Sequence, residues 1–291
     1  MYIYSLIIPH KNNPVLLQRC LDSVPERDDL QIIIIDDNSS KKYVDFTRFP
    51  GQNRPHTECY FNKVSQGAGH ARNIGLSKAL GKWLLFADAD DYFTPSLSTI
   101  LDKYKDDDET EMVFFNYNKV TDSGLEISMP ITRYISNYEQ GRVFSEKVLR
   151  YSAWSPWSRM IKRSIQTKHE LRFEEIPFGN DMMFVLNATS SATRIRAEQE
   201  LVYCYYSPSE GSQTKIKALN PNLVNLHFEN RLKQRRLYEK VKYYFFSPIW
   251  YEERALKCKV SKAMRKQYGF KPFYNLKDTI AYLFAKLFHI L

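Results

Sequence analysis

The sequence predicts an α/β protein in which helices flank a doubly wound, mostly parallel sheet. Apolar stretches of strand length alternate with segments of helical spacing through the first hundred residues, which is the pattern of successive βαβ units. Three of these strands end in polar side chains that a parallel sheet would bring to one edge. With 291 residues, 43% of them hydrophobic, the chain can also bury a full core.

The predicted elements begin with a strand at residues 3–8. A helix at residues 15–24 comes next, because its apolar side chains recur at helical spacing and Pro14 suits a first helical turn. Residues 121–129 predict a hairpin around Asp122-Ser123-Gly124. The remaining strands are predicted at residues 31–35, 59–64, 83–86, 112–117 and 201–206, and helices at residues 71–80, 97–104, 145–150 and 182–188.

Residues 215–291 form a basic, aromatic-rich region with predicted helices at 223–244 and 251–268. They hold 17 Lys and Arg against 5 Asp and Glu, whereas the formal net charge of the whole chain is only +9. Two interpretations of the last helix stay open, a helix docked on the domain or an amphipathic anchor on an anionic membrane. The anchor is favoured because the charge surplus and an apolar face occur together. That face consists of Ile280, Leu283, Phe284, Leu287, Phe288 and Leu291.

Other features of the sequence point to a cytoplasmic location. The four cysteines are far apart and have no zinc-ligand spacing, so we interpret them as buried or incidental thiols in a reducing compartment. We expect no secretory signal, because residues 1–9 already form a strand, and no membrane-spanning segment, because no apolar run is long enough. The catalytic part is therefore expected in the cytoplasm, peripheral on the inner face of the cell membrane.

The most informative motif is the acidic run Asp88-Ala89-Asp90-Asp91, directly after the apolar residues 83–86. Carboxylates placed at the end of a strand offer the hard oxygen ligands that suit Mg²⁺ or Mn²⁺ carrying a diphosphate. The alternative for such a run is a solvated turn or a helix cap. Polar residues also follow the first two strands, at 9–13 and 36–40, so we expect all three segments at one edge of the sheet.

These motifs, in this order, resemble the family 2 glycosyltransferases, including the sugar transferases of bacterial capsule, exopolysaccharide and lipopolysaccharide synthesis. The resemblance covers roughly three quarters of the chain and is far more specific as an ordered set than any motif alone. The matching segments are SLIIPHKN at 5–12, IIIIDDNS at 32–39, QGAGHARNIGL at 66–76, GKWLLFADADD at 81–91, RFEEIPFGNDMMF at 172–184 and VYCYY at 202–206, followed by Gly211-Ser212.

The resemblance implies an inverting enzyme of the Rossmann-like GT-A fold. We expect residues 1–214 to form the glycosyltransferase domain, with a nucleotide-binding half at 1–118 and an acceptor-binding half at 119–214. The basic C-terminal helical extension, residues 215–291, is not covered by the resemblance.

The resemblance also implies roles for individual residues at the nucleotide-sugar site. Asp90, with Asp88 as a second or water-mediated ligand, would hold the Mn²⁺ or Mg²⁺ ion. Asp37 resembles the acid that binds uracil, which favours a UDP-sugar, and its alternative is an Asx turn or helix cap. Arg72 would contact uracil or the diphosphate, and its alternative is a cation on the helix surface. The nucleotide-sugar set also includes Pro9, His10, Gly67 and Ala89; for His10 the default interpretation is a loop histidine with its hydrogen bonds satisfied.

On the acceptor side, Asp181 resembles the catalytic base, and its alternative is the N-cap of the helix that follows it. The family usually has Glu before this Asp, but Asn180 stands here, which leaves acceptor binding or positioning open. Trp154 is equally a stacking wall for a sugar ring or a core aromatic residue.

The predicted function is metal-assisted transfer of a sugar from a nucleotide diphosphate to a hydroxyl of a saccharide or lipid-linked acceptor, in surface polysaccharide synthesis. A sugar nucleotidyltransferase is the first alternative, but it would need a glycine-rich loop after the first strand, where residues 9–13 contain no glycine. A non-catalytic membrane- or nucleic-acid-binding protein is the second, suggested by a pI near 9.2. No nucleic-acid module is recognisable, so no nucleic-acid partner is expected.

Overall fold

The computed structural model of this chain describes residues 1–208, 221–243 and 280. One sheet runs through this part of the chain. Its strands are β1 (Tyr4–His10), β2 (Leu30–Asp36), β3 (Thr57–Phe61), β4 (Trp83–Phe86), β5 (Tyr92–Phe93), β6 (Met112–Val120), β7 (Glu126–Ser128), β8 (Arg159–Lys162) and β9 (Ile195–Tyr206). The helices are α1 (Pro14–Asp22), α2 (Ala68–Lys78), α3 (Ser96–Tyr104), α4 (Pro130–Glu139), α5 (Ser145–Ser152), α6 (Arg163–Lys168), α7 (Met182–Ser191) and α8 (Pro221–Lys240).

The sheet is mostly parallel, as the sequence predicts. Its strand order is β3-β2-β1-β4-β8-β6-β9-β5, with β7 paired to β6. Strands β3, β2, β1 and β4 are parallel to one another. β8 is antiparallel to both β4 and β6, and β9 is parallel to β6, so the long strands share one direction. The short strands β5, β7 and β8 are the reversed ones.

The central strands are buried on both faces. Every residue of β2 and β4 is buried, which explains why both read as nearly continuous apolar runs rather than alternating patterns. Cys20 of α1 and Cys204 of β9 are free and buried, and Cys59 is free and half-buried, in agreement with their interpretation as thiols packed in the protein.

Several elements were not predicted, and each has a local reason. β5 is only two residues long, and β8 and α6 are short elements that follow one another directly. β9 begins at Ile195, six residues before the predicted start, because Arg196, Glu198 and Glu200 interrupt its apolar pattern. Glu198 is nevertheless buried, where it accepts hydrogen bonds from Tyr104 and from the Lys103 ammonium, the latter at 2.6 Å.

Helix α8, which lies in the region predicted as a C-terminal extension, packs on the rest of the protein. Tyr238 and Tyr243 are buried in the core, and the Tyr238 hydroxyl donates to the backbone carbonyl of Tyr151 on α5. The division of the chain at residue 214 stays a prediction.

The predicted helix at 251–268 lies outside the described residues, as does the apolar face of the last helix except for Ile280. No helix within the described ranges is long and apolar enough to cross a membrane.

Candidate functional site

The strand register places three polar segments side by side at one edge of the sheet. His10 at the end of β1 pairs with Asp36 at the end of β2, and Ile7 of β1 pairs with Phe86 at the end of β4. The chain continues from Phe86 into the acidic run at 88–91. This is the carboxyl edge of the parallel strands, where α/β proteins bind ligands.

Hydrogen bonds from strand β9 hold the acidic run in place. Asp91 is fully buried, and its carboxylate accepts a hydrogen bond from the Tyr203 hydroxyl at 2.7 Å and one from the backbone N–H of Tyr206, also at 2.7 Å. The same Tyr203 hydroxyl accepts the backbone N–H of Asp88 at 3.0 Å. Asp91 therefore shapes the turn, while Asp88 and Asp90 remain nearer to solvent.

Negative charge accumulates in this turn. Although Asp90 is exposed at the rim, protein atoms surround much of its carboxyl group, and burial together with the nearby Asp88 raises its pKa to about 6. Burial, Asp88 and Asp90 also raise the pKa of Asp91 well above the usual range of a carboxyl. Mutual repulsion of this kind is relieved by a bound divalent cation, for which carboxylate oxygens are suitable ligands.

The donor set at this turn therefore fits Mn²⁺ or Mg²⁺ through Asp88 and Asp90. Among the described residues, no group of three or more His, Cys, Asp or Glu side chains is arranged to hold a metal ion. Two carboxylates with the remaining ligands supplied by water and substrate phosphate are the usual provision for Mg²⁺.

Arg72 links the acidic turn to the segment that precedes α7. Its guanidinium pairs with the Asp88 carboxylate at 2.5 Å and donates to the side-chain oxygen of Asn180 at 3.0 Å. The residue is 5% exposed, so it is not a cation on the helix surface. Its guanidinium also lies 5.4 Å from the centre of the Phe173 ring. The neutral Asn180 side chain thus accepts a hydrogen bond from Arg72 without neutralising the guanidinium. The positive charge of Arg72 therefore acts on the nearby carboxylates.

Asp181 stands at the N-cap position of α7, but its side chain makes no capping hydrogen bond. Burial raises the pKa of its carboxyl, Asp88 raises it further and Arg72 lowers it. The preceding residue, Asn180, accepts a hydrogen bond from Arg72, which pairs with Asp88, so Asp181 follows directly on the residues that contact the acidic turn. A carboxylate that is not committed to a helix cap and whose pKa lies above its usual value is suited to accept a proton.

Asp37 occupies the same edge but is engaged within the protein. Its carboxylate accepts hydrogen bonds from the backbone N–H groups of Gln66 at 2.9 Å and Gly67 at 2.8 Å, and from the Ser65 hydroxyl at 2.7 Å. These bonds outweigh burial and lower its pKa. Gly67 has φ +88°, a conformation that glycine adopts readily. In this structure Asp37 thus organises the turn that begins α2.

His10 is also committed to internal hydrogen bonds. Its Nε2 accepts the backbone N–H of Asn13 at 3.1 Å, so Nδ1 carries the proton and donates to the buried Asp36 carboxylate at 2.8 Å. The neighbouring Pro9 lies within β1, paired with Ile35. Ala89 lies between the half-buried Asp88 and the exposed Asp90 and is itself half-buried.

Trp154 is 38% exposed, and its indole N–H donates to the Tyr151 carbonyl at 2.6 Å and to the Tyr238 hydroxyl at 3.1 Å. Helix α8 therefore fixes this ring, and no hydrogen bond or ring contact among the described residues joins Trp154 to Asp88, Asp90 or Asp181. Trp157, by contrast, is a core residue, stacked on Tyr203 with ring centres 4.7 Å apart.

Two residues of the site escaped the sequence reasoning. Arg19 of α1 donates to the Asp90 carbonyl at 2.6 Å, and its guanidinium lies 5.0 Å and 4.7 Å from the ring centres of Tyr92 and Tyr206. No local signal marks it, because it simply falls beside the apolar stripe of α1. Asn73 anchors the backbone of Phe173 with two hydrogen bonds; its place directly after Ala71-Arg72 was the available signal.

Known proteins share this sequence pattern. The profile of glycosyl transferase family 2 matches residues 5–166. An uncharacterised glycosyltransferase of Escherichia coli, YibD, is 26% identical over 245 residues, which cover 81% of this chain and 70% of that protein. The poly(ribitol-phosphate) β-N-acetylglucosaminyltransferase TarS of Staphylococcus aureus is 22% identical over 236 residues. That match covers 76% of this chain but only 38% of TarS.

Solved structures share the fold. The TarS fragment in complex with UDP-GlcNAc superimposes with a TM-score of 0.66 at 16% identity, over 97% of this chain and 71% of that one. The mannosyltransferase PcManGT of Pyrobaculum calidifontis, in complex with GDP-Man and Mn²⁺, has a TM-score of 0.56 at 17% identity, over 98% of this chain and 86% of that one. These likenesses confirm the predicted α/β architecture. Because the family profile covers more than half of the 291 residues, the chain belongs to glycosyl transferase family 2 and is a glycosyltransferase.

Proposed function

We propose that this enzyme transfers a sugar, with inversion, from a UDP-sugar to a hydroxyl group of a saccharide or lipid-linked acceptor. The observation that carries the proposal is that Arg72 joins Asp88 of the acidic turn to Asn180, the neighbour of Asp181, at the carboxyl edge of a family 2 fold. UDP is favoured over GDP by the resemblance of Asp37 to a uracil-binding acid and by the UDP-GlcNAc bound to TarS. The Asp37 carboxylate already accepts a hydrogen bond from the Gly67 N–H. Contact with uracil therefore requires the remaining lone pairs of this carboxylate or a shift of the turn at Gly67.

In the proposed reaction, different residues accept the proton of the acceptor hydroxyl and stabilise the negative charge of the leaving diphosphate. The acceptor oxygen forms a bond to the anomeric carbon while the bond from that carbon to the diphosphate oxygen breaks, and its electron pair leaves with the diphosphate. Asp181 takes the proton of the acceptor hydroxyl. Arg72, held by Asp88 and Asn180, places positive charge beside the departing diphosphate. A divalent cation bound by Asp88 and Asp90 would supply further Lewis-acid stabilisation of that group.

The biological setting is also a proposal. Family 2 relatives in the comparison include the poly(ribitol-phosphate) transferase TarS, which supports a role in surface polysaccharide synthesis. The net charge of +12 in residues 215–291, from 17 basic and 5 acidic residues, supports attachment to the inner face of the cell membrane. Part of that charge is used inside the protein, however, since Lys233 pairs with Glu174.

The test is transfer and donor hydrolysis with a panel of UDP-, GDP- and TDP-sugars in the presence of Mn²⁺, read as released nucleotide. We expect activity with one UDP-sugar, loss of that activity with EDTA and Asp90→Ala, and a fall of 10²-fold or more with Asp181→Asn. Lys63→Ala, an exposed residue outside the cluster, is the control. Inactivity across the panel, together with no calorimetric binding of UDP in Mn²⁺, would refute the proposal.

A further inference from the structure

Asp181 is the last residue of an irregular segment, residues 174–181, that runs between α6 and α7 and is named here the 174–181 loop. The loop is closed on itself by one backbone hydrogen bond, from the N–H of Glu174 to the carbonyl of Asn180 at 3.0 Å. A loop with so little internal bonding is positioned mainly by what packs against it. Two helices far apart in the sequence do so here, α2 and α8.

Helix α2 contacts the 174–181 loop at both of its ends. Asn73 donates to the Phe173 carbonyl at 3.0 Å and accepts the Phe173 N–H at 2.8 Å, while its amide also reaches Glu175 at 2.9 Å. Arg72 reaches Asn180. The helix comes so near that a Cβ added at Gly69 would lie 2.1 Å from the Glu174 carbonyl oxygen.

Helix α8 holds the same loop through other atoms. The Lys233 ammonium pairs with the Glu174 carboxylate. The side-chain amide of Asn230, a residue only 4% exposed, donates to the Phe178 carbonyl at 3.2 Å. Asn230 also closes over Gly179, where an added Cβ would lie 3.0 Å from its Nδ2. These contacts lie at both the beginning and the tip of the loop, so α8 constrains its shape and not merely one end.

We propose that Lys233 and Asn230 are positioning residues for Asp181, and that α8 is therefore part of the catalytic apparatus. The inference rests on the proposed function, in which Asp181 is the base. In this assignment helix α8 acts through the 174–181 loop, at the Glu174 carboxylate and the Phe178 carbonyl. Displacement of a catalytic group by about 1 Å lowers rates up to 10²-fold, so modest contacts to such a loop have a measurable effect on turnover.

The proposal predicts a specific kinetic pattern. Lys233→Ala removes a half-exposed ion pair and should lower kcat about two- to fivefold, and Asn230→Ala should do the same by removing its hydrogen bond to the Phe178 carbonyl. The double variant should lose about tenfold, with the donor KM unchanged, because the acidic turn and Arg72 are untouched. Arg236→Ala, an exposed cation on the same helix, is the matched control and should leave kcat at the wild-type value.

A charge reversal separates positioning from simple loss of folding. Glu174→Lys and Lys233→Glu should each lower kcat, and the two combined should restore it to within about twofold of wild type, since the pair is rebuilt with its sign reversed. Amide hydrogen exchange supplies a readout that needs no catalysis. Exchange across the 174–181 loop should accelerate in Asn230→Ala/Lys233→Ala more than exchange in the buried strands β2 and β4 does, and should stay unchanged in Arg236→Ala.

The outcomes distinguish this inference from the proposed function. If Asp181→Asn loses transfer while Asn230→Ala/Lys233→Ala keeps the kcat and exchange rates of Arg236→Ala, the role of α8 is refuted and the proposed function stands. If Asp181→Asn retains full transfer, the proposed base is wrong and the catalytic role of α8 fails with it, even where exchange in the loop accelerates. Rescue by the reversed pair, together with the Asp181→Asn loss, supports both.

Discussion

Removing one hydroxyl group, in Tyr203→Phe, tests whether strand β9 supports the acidic turn. The Tyr203 hydroxyl donates to the buried Asp91 carboxylate and accepts the backbone N–H of Asp88. The ring itself would keep its packing, stacked on Trp157 at 4.7 Å and edge-on to Phe93 at 5.1 Å. The substitution therefore deletes two hydrogen bonds and changes little else.

The magnitude follows from which groups lose their partners. Asp91 is fully buried and keeps only the hydrogen bond from the Tyr206 N–H among those described for its carboxylate, and a buried polar group that loses a partner costs about 1–3 kcal/mol. Asp88 is half-buried, so water can replace part of its lost bond at about 0–1 kcal/mol. We expect Tyr203→Phe to lower the free energy of unfolding by about 1–4 kcal/mol.

The assay is urea unfolding, with Mn²⁺ affinity measured on the same samples. Tyr206→Phe is the matched control, because its hydroxyl reaches only the surface residue Asp122 among its hydrogen bonds shown here, and it should unfold at nearly the wild-type urea concentration. Tyr203→Phe should also bind Mn²⁺ more weakly, since the turn carrying Asp88 and Asp90 is less fixed. Coincident unfolding curves for Tyr203→Phe and wild type would show that the hydroxyl does not support the turn.

Three further predictions follow from the acidic turn and from the contact of α2 with the 174–181 loop. With its pKa raised to about 6, Asp90 is protonated below that pH, so the Mn²⁺ dissociation constant should be flat above pH 7 and rise about tenfold per unit below pH 6. In cation-free protein the Asp90 carboxyl holds its proton more tightly in the native state than in the unfolded chain, so its contribution to stability should fall as pH rises from 3.8 to about 6. Calorimetry measures the Mn²⁺ dissociation constant at each pH, and urea unfolding measures the stability. A dissociation constant that does not vary between pH 5 and 7 would contradict both predictions. Gly69→Ala would place a Cβ 2.1 Å from the Glu174 carbonyl oxygen and should destabilise the protein by about 1–3 kcal/mol, and wild-type thermal stability would contradict the close approach of α2 to the 174–181 loop.

The strands that position the site were predictable because their chemistry is local. β1, β2 and β4 are apolar runs that end in polar residues, and four residues of β4, Trp83–Phe86, coincide with their prediction. β8 is as short as β4 but was not predictable, because only its two central residues are apolar and a charged residue stands at each end, between a 3₁₀ turn and a short helix. Its place between β4 and β6 is decided by packing across the sheet.

The candidate site was likewise predictable from the sequence only in part. The acidic turn, Arg72 and Asp181 were selected from motifs, and in the structure Arg72 joins the acidic turn to Asn180, the residue before Asp181. The hydrogen-bond partners of Asp37 and His10 could not be selected in this way, because each carboxylate or imidazole finds its donor 3 to 30 positions away along the chain. Sequence spacing identifies which side chains are present at an edge, but only the fold decides which remain available to a ligand.

The hydrogen bonds of Tyr203 also fix when, during synthesis of the chain, the acidic turn can mature. The phenol lies 115 positions beyond the Asp88 amide that it supports, and β9 is the last strand along the chain within the described ranges. A ribosome that has released residues 1–118 has delivered every carboxylate of the turn but not the group that shapes it. Residues 1–118 alone therefore lack the hydroxyl group that supports the acidic turn, and the two hydrogen bonds of Tyr203 can form only after β9 has left the ribosome.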